Sequence, residues 1–204
     1  MKKFLYGFVL VCLVAGTTAQ AGQSELEKLR GTIDAALDVI YCDSNSELSK
    51  EEKQAKVRSV LEDKYELDVI IRRAIGRNWR ELNSEQQVEV LELVKTLIVK
   101  AYVNWMEGKA RPEVELGEVV LITDKRMEIP SKVHLEDQTV TMLYRLGKMK
   151  SGWQVYDVVA EDISVVSNYR QQIDDHFRKG DAEGLIAKLN ELLTKDEIDE
   201  NLTI

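Results

Sequence analysis

The chain has 204 residues, two cysteines and a net charge of −8, with 36 acidic side chains against 28 lysines and arginines. That balance excludes binding to nucleic acid, or adhesion to an anionic membrane, through bulk charge.

Residues 1–21 read as a secretory leader. Lys2 and Lys3 precede an apolar run from Phe4 to about Ala15, and Ala19-Gln20-Ala21 offers a small-residue cleavage site. The run is too short for a comfortable membrane span. Val11 before Cys12 argues against a lipoprotein anchor. Cleavage after Ala21 removes Lys2 and Lys3 and takes the charge from −8 to −10. It also leaves Cys42 alone, so no internal disulfide can form and stability must come from a packed core. About 180 remaining residues suffice for one such core. Without repeats or a low-complexity linker, residues 22–195 read as a single domain, and 196–204 as a flexible acidic tail.

The first half predicts helices. Leu26, Leu29, Ile33, Leu37 and Ile40 form one stripe. Ser49 and Glu52 form a capping box that opens a second helix carrying Val57, Val60 and Leu61. Leu67 to Ile75 is a short helix closed by Gly76. Ser84 to Gln87 reads as another capping box, opening a long helix to about Glu107, with Gly108 and Pro112 beyond. That helix is apolar over more than a narrow seam, a face broad enough to contact two things at once.

From Glu113 the pattern becomes β. Glu113 to Ile122, Arg126 to Leu135, Thr139 to Leu146 and Trp153 to Ala160 predict about four antiparallel strands, with Gly147 to Gly152 turning the last two as a hairpin. Pro130 suits an edge or a bulge. After Glu161 the period changes from two to three and four, so a helix follows, with Asp162 as its expected N-cap. Asp181 caps a final helix. The fold class is α+β: N-terminal helices, a curved antiparallel sheet and C-terminal helices enclosing an apolar cavity, a cone like that of the NTF2 and ketosteroid-isomerase folds.

Chemical motifs are scarce. His134 and His176 have no partner at metal-ligand spacing, and no GxSxG, HExxH or phosphate-binding glycine loop is present. Asp157, Glu161 and Asp162 cluster near the expected cavity mouth, as a general base would, although capping and solvation explain them more simply. Arg72, Arg73, Arg77 and Arg80 gather basic charge at one helix end, suited to an acidic partner, to lipid phosphates or to solvent alone.

Two segments resemble the MlaC family, also called the toluene-tolerance auxiliary family. One runs from Leu67-Asp68 through Ile75-Gly76-Arg77-Asn78-Trp79 and Ser84-Glu85-Gln86-Gln87 to Tyr102. The other comprises Trp153 to Val158, Glu161, Ile163 to Val166 and Asn168-Tyr169-Arg170. The chain departs from the family pattern at Asp162, where a glycine is usual, and at Val90, Val94 and Ile173, where aromatic residues are usual. The resemblance implies a periplasmic phospholipid carrier without a cofactor. It would move lipid between an outer-membrane lipoprotein–porin complex and an inner-membrane ABC lipid transporter complex, and so maintain outer-membrane lipid asymmetry. The expected tail-binding wall is Met127, Ile129, Val133, Val140, Met142 and Tyr144 on the sheet, with Ile71, Ile75, Leu97, Ile98, Val165, Val166 and Tyr169 on helices. Asp157, Asn168 and Arg170 fall at the head-group end or the strand-to-helix corner, where Arg170 could pair with Asp157 or Glu161. Two alternatives remain: an enzyme of the cone-shaped fold using Asp157 or Glu161, and a ligand-free interaction module with a filled core.

Overall fold

The computed structural model describes residues 15–195, with side chains from Gly22 onward. Residues 1–14 of the expected leader and the expected tail at 196–204 lie outside the described residues. Six α-helices are described: α1 (Ala15–Tyr41), α2 (Lys50–Lys64), α3 (Leu67–Ile75), α4 (Ser84–Met106), α5 (Val165–Phe177) and α6 (Ala182–Thr194). Six strands lie between α4 and α5: β1 (Glu113–Leu116), β2 (Val120–Thr123), β3 (Arg126–His134), β4 (Thr139–Met149), β5 (Gly152–Ala160) and β6 (Ile163–Ser164). The fold is α+β with one antiparallel sheet ordered β1-β3-β4-β5-β6, in which β2 pairs the same edge of β3 as β1 does.

The sheet therefore has six strands where the sequence pattern predicts about four. The expected strand Glu113–Ile122 breaks into β1 and β2, which pair with Ser131–His134 and Arg126–Glu128 of β3. Pro130 lies between those two pairings. It lacks an N–H for the edge neighbour, and its carbonyl accepts instead from the Gly117 amide at 2.8 Å. A Cβ on Gly117 would sit 2.9 Å from Pro130 Cγ, so the chain crosses the proline at a residue without a side chain. Proline's preference for an edge break is thus realised inside β3.

The sixth strand arises at the corner after β5. Glu161 and Asp162 both have positive φ, 46° and 66°, which makes a two-residue hairpin turn into β6. The N-cap of α5 is accordingly Ser164, not Asp162: Ser164 Oγ accepts from the Ser167 amide at 3.0 Å. A similar one-residue correction applies to α4. Asn83 Oδ1 accepts from the Glu85 and Gln86 amides, and Gln86 Oε1 accepts from the Asn83 amide at 3.0 Å, so the capping box is Asn83/Gln86. The Ser49/Glu52 box forms as the sequence predicts. Gly147, Lys148 and Met149 extend β4, leaving only Lys150 and Ser151 to turn that hairpin before Gly152, whose φ is 107°.

Three apolar clusters hold these elements. One is wholly helical and joins α3, α4, α5 and α6 through buried Ile71, Ile75, Val90, Leu97, Ile173, Leu185 and Leu189. The second packs Leu29 of α1 and Tyr65 on Met127, Ile129, Leu146 and Trp153 of the sheet. The third joins α1, α2 and α4 through Val39, Val57, Val99 and Val103. The broad apolar face of α4 thus serves two clusters at once.

Candidate functional site

The helical cluster does not close completely. Between α3, α4, α5 and α6 lies a pocket of about 110 Å³, lined by Ile70, Ile71, Ala74, Ile75, Val94, Leu97, Ile98, Ala101, Val165, Val166, Tyr169, Ile173 and Leu189. All seven helical residues expected in the wall are among them. Ala74, Val94, Ala101 and Ile173 join them because each lies one helical turn from a named residue, and Ile70 lies one turn from Ala74. Leu189, on α6, has no local sequence signal that ties it to this wall.

The six sheet residues expected in the wall share one face of the sheet, since Met127 is paired with Leu146, Ile129 with Tyr144, and Val133 with Val140, while Met142 opposes Ser131. None of the six lines the helical pocket. Met127 and Ile129 are fully buried against Leu29 and Tyr65. Tyr144 is different: it stays half-buried by accessibility, yet burial pushes its phenol up to about 12. It packs against the cluster that holds Tyr65, Met127 and Ile129. Burial also raises Tyr65 in that cluster and Tyr102 on α4.

The corner residues are fold-bearing. Asp157, 5% exposed, accepts from Arg145 Nη1 at 3.1 Å and from Ser164 Oγ at 2.8 Å, both on Oδ2, and from the Val166 amide at 3.2 Å on Oδ1. One carboxylate therefore ties β4, β5 and the first turn of α5, which aims Val165 and Val166 into the pocket. Sequence reasoning did not assign Arg145 or Ser164 to this cluster. Their signal was present, because Arg145 lies beside the last residue of an apolar alternation and Ser164 precedes an apolar helical run.

Arg170 pairs with neither Asp157 nor Glu161. Its Nε donates to the Arg73 carbonyl at 2.9 Å, and its Nη2 donates to the same oxygen. The guanidinium passes beneath Gly76, where a Cβ would meet Arg170 Nε at 3.2 Å; the +62° φ of Gly76 also favours glycine. Asn168 is exposed. Glu161 accepts from the Thr141 amide and from Thr141 Oγ1, which hold its carboxyl below the ordinary range. Neither Asp157 nor Glu161 lines the pocket.

The four arginines of α3 and the following 3-10 turn divide their work. Arg72 lies over the Trp79 ring at 4.8 Å and Arg73 over Tyr156 at 4.5 Å. Arg77 pairs with Asp174 at 3.3 Å, and with Arg80 it lines an open polar cleft of about 490 Å³ against α5 and α6. Asn78 Nδ2 donates to Asp174 Oδ1 at 2.6 Å and clamps that turn to α5.

A pocket of aliphatic side chains, with Tyr169 as its single hydroxyl-bearing member, supplies dispersion contacts and almost nothing to bind a polar group. The arrangement is that of an α+β protein with an apolar pocket enclosed by its helices beside an antiparallel sheet. The chain belongs to the MlaC family: the model of that family, described as MlaC protein, matches residues 30–191. In fold the chain is similar to the phospholipid-binding protein of Ralstonia solanacearum, whose structure was determined in complex with a phospholipid. The TM-score is 0.68 at 22% identity, covering 81% of this chain and 94% of that one. No curated protein matches the chain. Among the described residues no helix is long and apolar enough to cross a membrane.

Proposed function

We propose that the protein is a periplasmic phospholipid carrier that holds its cargo by the acyl chains. The observation that carries this reading is the aliphatic pocket of the helical cluster, in a chain whose family is MlaC and whose fold is that of a protein solved with a phospholipid bound. A two-chain lipid exposes roughly thirty methylenes, and at about 0.8 kcal/mol each its tails resist water by about 24 kcal/mol. A carrier is what crosses an aqueous compartment with such a load.

The pocket of about 110 Å³ receives the end of one chain directly. Ligand pockets usually run to about 300–1,000 Å³. Two chains therefore require α3 and α5 to move outward from α4, or the sheet face at Met142 and Tyr144 to open to the pocket. Apolar contacts suit such movement, because they have no fixed direction. In this reading Asp157, Asn168 and Arg170 serve the corner. Residues 1–21 direct export and are removed, 22–195 form the carrier domain, and transfer runs between an outer-membrane complex and an inner-membrane ABC transporter, sustaining outer-membrane asymmetry.

Native mass spectrometry with solvent extraction tests the proposal. A co-purifying phospholipid supports it, and its loss in Val165→Trp while the circular dichroism spectrum is unchanged supports the pocket. Full occupancy in that variant, with loss in Met142→Trp, would move the site to the sheet face. Turnover of a small ester without bound lipid would restore the enzyme reading, although Asp157 and Glu161 are already engaged within the fold.

A further inference from the structure

At the sheet edge formed by β1 and β2, Val120, Leu121 and Ile122 are 49%, 44% and 51% exposed, three large apolar residues in succession. They do not form one flat face. Val120 opposes Glu128 and Leu121 opposes Met127, so the two point to opposite sides of the sheet. Ile122 is the extra residue where the register shifts between Leu121 and Thr123. The result is a ridge wrapping around the edge, apolar on both sides.

The tips of two hairpins stand beside it. The Lys148 amide donates to the Lys125 carbonyl at 3.0 Å, which places the turn at Asp124-Lys125 against the one at Lys150-Ser151. Lys125, Arg126, Lys148 and Lys150 are all exposed there, and among the described residues none is in an ion pair. Glu118 and Asp124 are the acids of the same loops. Four exposed cations without an ion pair make a local basic patch on a chain of net charge −8, complementary to an external anion.

We infer that this ridge and its cations form a docking surface for an anionic lipid bilayer. Hydrocarbon accepts side chains from every direction, whereas a protein groove or an added strand would cover one side of the ridge and leave the other in water. Lysine and arginine beside an inserted apolar segment meet lipid phosphates at the depth where the chain enters. The acidic remainder opposes deep binding, so contact is shallow and sensitive to salt. The ridge lies on the sheet edge opposite β6 and the start of α5. It therefore tethers the molecule without using the pocket, and it does not depend on the carrier reading.

Vesicle flotation tests it, with purified protein and vesicles of phosphatidylcholine alone or with a third phosphatidylglycerol. The protein should float with the anionic vesicles at low salt, and not with phosphatidylcholine alone or at about 0.5 M salt. Leu121→Ser with Ile122→Ser, and separately Lys125→Glu with Lys148→Glu, should each lower binding at least tenfold. Co-purified lipid and circular dichroism should not change in either variant, because none of these residues lines the pocket. Absence of flotation, or flotation unaltered in both variants, overturns the inference and leaves the carrier reading standing. A sedimenting dimer that the serine variant dissolves, with vesicle binding intact, also overturns it and assigns the ridge to a second copy. Flotation by protein that carries no lipid upholds the surface and removes the carrier.

Discussion

Asp157 is the residue on which the corner depends. Replacing it with alanine leaves the Val166 amide without its acceptor, the Ser164 hydroxyl with only Ser167 Oγ and Arg145 with only Glu128, each at 3.0 Å. We expect a loss of about 2–4 kcal/mol in urea unfolding, since a buried charged acceptor is removed while its donors remain. Arg145→Met should cost less, because the carboxylate keeps two donors. Asp162 offers the opposite case. At φ 66°, in a two-residue hairpin turn, it occupies a position where glycine has no Cβ to strain, so Asp162→Gly should stabilise by about 0.5–1 kcal/mol and raise the melting temperature. A lower melting temperature would mean that the carboxylate has a role beyond the turn. Tyr144 links the sheet face to pH. Its folded pKa of about 12 exceeds the ordinary value of 10.0, so the stabilisation it contributes is complete below pH 10 and is lost as pH rises from there toward 12. Tyr144→Phe keeps the ring and removes the titration, and should flatten the alkaline unfolding curve over that window. Glu161 acts on the acid side. Its carboxyl is held below the ordinary 4.5, so its contribution is present above that pH and is lost as pH falls through the lowered folded value.

At the scale of elements, the helices were legible in the sequence because their apolar positions recur at three and four and their caps are local. Ser49/Glu52 is a contact within four residues, as is Asp181 accepting from the Gly184 amide. The helical wall of the pocket was legible for the same reason: residues named one turn apart on α3, α4 and α5 face a common space. The sheet was less so. The division of Glu113–Ile122 depends on Pro130, distant in sequence, and alternation carries no record of a partner strand's missing amide. The hairpin into β6 was hidden because Glu161-Asp162 is not a usual positive-φ pair, and the same aspartate suits an N-cap. The sheet residues were expected in one wall with the helical ones; they share a face of the sheet but lie outside the helical pocket. Alternation shows which face of a strand is apolar and not what covers it, and Leu29, Tyr65 and Trp153 fill the space over Met127 and Ile129.

For the whole molecule, the proposed cargo is gripped by aliphatic groups, and the arginines near the helical pocket are occupied by rings, carbonyls or carboxylates. Exchanging phosphatidylethanolamine for phosphatidylglycerol should therefore change occupancy by less than about tenfold, or roughly 1.4 kcal/mol. A larger preference, measured by competition in native mass spectrometry, would point to a dedicated phosphate site such as the cleft beside Arg77 and Arg80. The crossing of Gly117 over Pro130 also has a consequence for crowding. On one side the edge is β5, paired by β6 at Val159 and Ala160 and packed against α3 and α5, and on the other it is divided into β1 and β2 of four residues each. Neither offers a long run of free amides and carbonyls on which a neighbouring chain could template a ladder. A residue with a side chain at Gly117, by pushing Pro130 aside and letting the edge straighten, would turn a local packing fault into a tendency to form fibrils at high concentration.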